Sequence, residues 1–184
     1  MDLDKTKVKL SAYFKNACEV LKIDYKAIDF VYEGIGERFK TNDVTCETAG
    51  NKLYINLKWI EMLPENDDYD LQYQMYHEAR HFYQDMVIAD FDARGKTSEL
   101  PSTINKWKSE SVSYIPNEGT EEERKAYAAQ DIEIDANAFA IAMLHAKGID
   151  DVKVLPEQES EIKHKANDIY FRLEKLGRWK NLNS

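Results

Sequence analysis

The chain has 184 residues, 43% of them hydrophobic and 32% charged, enough for one domain with a sizeable buried core. A net charge of −9 argues against a nucleic-acid partner, because phosphate binding needs a basic surface, and it gives no reason to expect binding to an anionic membrane. The N-terminus Met1-Asp2-Leu3-Asp4-Lys5-Thr6-Lys7 lacks an apolar signal core, no run reaches the length of a membrane span, and Cys18 and Cys46 read as free thiols. Together these point to the cytoplasm.

Leu3 to Ile23 carries apolar residues at a helical period. Ile28 to Tyr32 reads as a strand, closed by the Gly34-Ile35-Gly36 break. Val44–Thr48 and Lys52–Leu57 flank Ala49-Gly50-Asn51 and read as a hairpin. Pro64 to Asp68 is an acidic loop whose aspartates suit a helix start. The helix that follows, Tyr69 to Asp90, has an apolar stripe of Leu71, Met75, Phe82 and Met86. Beside that stripe lies a polar face of His77, Glu78, His81 and Gln84 or Asp85. Asp92 to Thr103 reads as a loop, Ile104 to Ile115 as a short helix, and Asn117-Glu118-Gly119 as a break. Thr120 to Glu123 has the capping-box pattern, and Lys147-Gly148 supplies a helix end, so one helix is expected between them. A last helix covers Pro156 to Leu176. The expected fold is a single α+β domain over 1–184. An N-terminal helix and a small three-stranded antiparallel sheet (1–66) precede the helical core (67–148), which includes an insert at 92–119. The C-terminal helix falls in 149–184.

One segment specifies a chemistry. His77-Glu78-Ala79-Arg80-His81 is an H-E-x-x-H motif on a helix, and histidines four apart stack on one face where both imidazoles can reach one metal ion. Glu78 follows the first histidine, placed to take a proton from a water on that metal. Chance alone puts this spacing in roughly one chain in a few hundred of this length, so a third ligand matters. Between Ile132 and Leu144 the capped helix is apolar nearly all round, yet that helix holds Asp131, Glu133 and Asp135. Carboxylates on a buried helix are costly unless paired or bound to a metal. Glu133 shares a face with Ala126, Ala129, Ala136, Asn137 and Ala140, small residues that allow close approach to the metal helix. Asn137 lies one turn on, where its oxygen can accept the spare N–H of a ligand histidine. Asp135 faces elsewhere and is expected to pair with a cation, with Arg80 a candidate.

H-E-x-x-H followed by Glu133-Ile134-Asp135-Ala136-Asn137-Ala138-Phe139-Ala140 resembles the E-x-x-A-N-x-F-A signature of ImmA/IrrE-like metallopeptidases, within the gluzincin group. It is also similar to uncharacterised mobile-element proteins of Gram-positive bacteria. The resemblance covers about residues 40 to 145. It implies His77, His81 and Glu133 as Zn2+ ligands, Glu78 as general base, a small α+β fold and a peptide or protein substrate. The long spacing from His81 to Glu133 places the 92–119 insert over or beside the site. Such a hydrolase needs an oxyanion donor, for which Tyr127 and Tyr114 are candidates; packing is the ordinary role of a tyrosine, and the chain has eleven. The alternative function is a catalytically silent zinc-binding regulatory or interaction protein. Sequence leaves the substrate and the oligomeric state open.

Overall fold

The computed structural model describes residues 2–64, 68–117, 120–150, 154 and 158–181. The architecture is α+β: among the described residues, seven α-helices and one small mixed sheet. Helix α1 (Leu3–Leu21) begins where the Asp2 carboxylate accepts the Lys5 backbone N–H, and it buries Leu10, Phe14, Ala17 and Cys18 completely.

Strand β1 (Asp29–Glu33) is followed by the hairpin of β2 (Cys46–Ala49) and β3 (Lys52–Asn56). The hairpin turns at Gly50, where φ of +59° favours a residue without a Cβ. The sheet order is β1-β3-β2, and the sheet is not wholly antiparallel as expected. β2 runs antiparallel to β3, but β1 runs parallel to it, with Phe30 opposite Leu53. Residues 34–45 carry the chain from β1 on one edge of the sheet to β2 on the other, so that β3, returning from the hairpin, lies between them and parallel to β1. Leu57 is not part of the strand. The Asn56 side chain accepts the Lys58 N–H at 2.9 Å and donates to the carbonyls of Thr41 and Val44, starting α2 (Leu57–Met62) instead.

Helix α3 (Asp68–Arg94) runs past Asp90, and α4 (Pro101–Val112) begins before Ile104, so the loop between them is shorter than expected. The expected helix from Thr120 to Lys147 is two helices, α5 (Glu121–Ala128) and α6 (Asp131–His145). The break has a clear cause. Both carboxylate oxygens of Glu110, on α4, accept the Asp131 and Ile132 backbone N–H groups at 2.9 and 2.8 Å. They satisfy and charge-match a new helix start. Ala126 and Ala129 therefore do not share a helix with Glu133. Helix α7 (Glu159–Lys175) completes the core. The expected acidic loop at 65–67, the break at 118–119 and the helix start at Pro156 lie outside the described residues.

α3 is central. It packs against α1 on one side and α6 on the other, touching β2 and α4 as well, while α6 packs on α7. Phe14 joins α1 to the rest through edge-on ring contacts with Phe30 at 5.3 Å and Phe82 at 5.6 Å. Among the described residues, no helix is long and apolar enough to cross a membrane.

Candidate metal centre

The α3–α6 contact brings His77, His81 and Glu133 together as a buried group whose ligand-type atoms all lie within 4.8 Å of one another. His77 Nε2 and His81 Nε2 are 2.9 Å apart, His77 Nε2 is 3.3 Å from Glu133 Oε2, and His81 Nε2 is 3.4 Å from Glu133 Oε1. Ligands at about 2.0–2.1 Å on a tetrahedral ion sit about 3.3 Å from one another. The two Glu133 distances run from different oxygens, one facing each imidazole; both are close to that spacing, and the two nitrogens are a few tenths of an ångström closer than it. Glu133 is fully buried, and the His81 side chain keeps 13% exposure, which leaves the group's opening on that side. These three residues could hold a metal ion.

The surroundings set which nitrogens point inward. His77 Nδ1 lies 2.8 Å from Asn137 Oδ1, an oxygen that also accepts the Tyr73 hydroxyl at 2.8 Å. His81 Nδ1 lies 2.8 Å from Gln84 Oε1. Each Nδ1 faces an acceptor, so the neutral form of each imidazole keeps its proton there and leaves Nε2 to present a lone pair. Without a cation, burial is outweighed by Glu133, which raises the His81 imidazole to about 9, so that a metal ion would displace a proton from it. Two lone pairs and a carboxylate converging in a buried space make a donor set for a cation.

Glu78 is 4% exposed, and one of its oxygens accepts the Gln74 amide at 2.7 Å. Burial lifts its carboxyl above the ordinary range, opposed by the two imidazoles and assisted by Glu133. Both candidate tyrosines are at the site, but their hydroxyls are spent on Glu133. Tyr114 donates to Oε1 at 2.9 Å and Tyr127 to Oε2 at 2.5 Å, with their rings edge-on at 6.1 Å. Tyr114 belongs to the insert, just beyond α4. It is held there by Gln130, whose side chain bonds both the N–H and the carbonyl of Ile115. The insert thus lies beside Glu133.

Behind the ligands runs a buried polar chain. Gln84, fully buried, donates its amide to Asp135 Oδ2 and to the Ile132 carbonyl, both at 2.9 Å. Asp135 is gripped by Arg80 through Nε at 2.7 Å and Nη2 at 3.3 Å. Arg80 also lies 3.5 Å from Glu99, which accepts the Tyr83 hydroxyl and takes Arg172 of α7 at 2.7 and 2.9 Å. Tyr73, Gln74, Gln130, Glu99 and Arg172 carried no motif. For Tyr73 and Gln74 the usable signal was helical spacing alone, each four residues before His77 and Glu78.

Burial would raise the carboxyls of Glu99, Glu133 and Asp135, but Arg172 and Arg80, the two histidines, and Arg80, respectively, outweigh it and hold all three below their ordinary values. Groups depressed in the folded state stabilise it above the unfolded carboxyl range and lose that contribution as pH falls. The thermal midpoint of the metal-free protein should therefore fall steeply once pH drops through about 4.5 toward 3. A midpoint at pH 3 equal to that at pH 7 would contradict the ion-pair geometry.

No family model, curated protein or solved structure matches this chain.

Proposed function

We propose that the protein is a zinc-dependent hydrolase acting on peptide bonds, with His77, His81 and Glu133 holding the ion and Glu78 as general base. The observation that carries this reading is the convergence of two Nε2 atoms and one carboxylate at near-tetrahedral spacing, beside a buried glutamate of raised proton affinity. Bound zinc supplies Lewis acidity, acidifying water to a pKa of about 7 and polarising a carbonyl oxygen. Glu78 accepts the proton of the attacking water and returns it to the leaving amine. Tyr114 and Tyr127 hold the Glu133 carboxylate in place, and Asn137 and Gln84 hold the imidazoles. The substrate is a peptide or protein, and the setting is a cytoplasm that keeps two buried thiols free. The motif similarity to ImmA/IrrE-like metallopeptidases supports the same class.

A second reading, a catalytically silent zinc protein, is favoured by the burial of the site. Glu133 and Glu78 are almost wholly buried, and the two tyrosines that would serve an oxyanion are engaged by Glu133.

Elemental mass spectrometry on protein purified without chelator tests the ligand set shared by both. About one zinc per chain is expected in the wild type, falling to a trace in Glu133→Ala. A folded wild type that carries and takes up no zinc defeats both readings, and iron in its place would redirect the chemistry.

A further inference from the structure

We infer that Gln84 is a positioning residue that decides which imidazole nitrogen His81 presents to the metal, and that Asp135, gripped by Arg80, holds Gln84 in the required orientation. This rests on the metal-site reading and extends it to residues outside the ligand set.

A glutamine amide has an accepting end and a donating end, and a neutral imidazole has one nitrogen of each kind. Gln84 Nε2 lies 2.9 Å from the Ile132 carbonyl and 2.9 Å from Asp135 Oδ2. Both partners only accept, so the donating end belongs there and Oε1 must face His81 Nδ1, at 2.8 Å. That contact places the ring proton on Nδ1 and frees Nε2 to point at His77 and Glu133. The flipped amide would set Oε1 against two oxygens in a fully buried position and push the His81 proton onto the ligating nitrogen. Asp135 cannot turn away, because Arg80 Nε holds the same oxygen, Oδ2, at 2.7 Å. His77 is served by a separate device, Asn137 with Tyr73, so a fault in one arm does not propagate to the other.

Gln84→Met is the informative change, because it removes the acceptor at His81 Nδ1 while leaving the Arg80–Asp135 pair intact. Zinc affinity, measured by competition with a chromophoric chelator on protein shown folded by circular dichroism, is expected to fall about 10- to 100-fold. Gln84→Glu keeps an acceptor for His81 Nδ1 but sets its other oxygen against Asp135 Oδ2 and the Ile132 carbonyl. It should bind zinc more tightly than Gln84→Met, whereas a merely structural role predicts the reverse order, since a buried carboxylate facing two oxygens destabilises more than a thioether. Asp135→Ala, which removes the acceptor anchoring the amide, is expected to weaken binding by a smaller factor, because the Ile132 carbonyl still accepts from Gln84. Wild-type affinity in Gln84→Met, or weaker binding in Gln84→Glu than in Gln84→Met, overturns the inference while leaving the site reading standing. A wild type that binds no zinc overturns both.

Discussion

Glu78→Gln is expected to lower peptide hydrolysis by roughly 10²–10⁴-fold while leaving the fold and the zinc content unchanged. The substitution keeps the shape and removes only the ability to take a proton. Its oxygen can still accept the Gln74 amide, which lies 2.7 Å from Glu78 Oε1. Glu78 is outside the His77, His81 and Glu133 group, so metal retention should not depend on its charge. Burial raises its proton affinity toward the working pH, which makes a carboxylate a better base. The check is turnover of a peptide library by both proteins, each assayed for zinc. Equal turnover in wild type and variant would sink the assignment of Glu78. One zinc per chain with turnover in neither would establish the silent reading.

Arg80→Ala should cost about 3–5 kcal/mol of folding stability, among the largest effects of any single replacement in this chain. Arg80 is 2% exposed and lies between Asp135 and Glu99, both nearly inaccessible. Removing it leaves Asp135 buried with only Gln84 and, at 3.8 Å, Lys165 to balance it. The guanidinium also packs over the Tyr83 ring at 4.3 Å, so its stem and face leave a cavity. Denaturant melts at pH 7 would read the loss. A change below about 1 kcal/mol would mean that the pair is screened far more than its burial indicates.

Much of the candidate site was legible because its residues sit at helical spacing on two segments. His77, Glu78 and His81 share one face of α3, and Glu133 and Asn137 share one face of α6. The anomaly of acids on an apolar helix pointed to Glu133 and Asp135 from the sequence itself. The pairing of Asp135 with Arg80, expected because an acid on an apolar helix needs a cation, is present at 2.7 Å. The roles of Tyr114 and Tyr127 were not legible. Six residues separate Tyr127 from Glu133, and on one continuous helix they would point about 120° apart. They meet because the chain breaks at Ala129-Gln130, and that break depends on Glu110, some twenty residues upstream. The parallel pairing of β1 was hidden for a similar reason. Alternation marks a strand, but strand direction is set by where the crossover lays it.

Local period and side-chain chemistry were thus enough to define the elements and the donor atoms: the helix bearing His77, Glu78 and His81, the apolar helix bearing Glu133, the hairpin around Gly50, and an acidic chain with no run long enough to span a bilayer. All of these are carried by residues a few positions apart. The sheet order, the split between α5 and α6, the engagement of both tyrosines by Glu133, and the Gln84 amide orientation that turns His81 Nε2 inward emerged only from the folded chain. Each of these depends on a hydrogen bond or strand pairing between distant segments. Such contacts exist only once packing has excluded water, when every buried donor must find an acceptor and few arrangements satisfy them all.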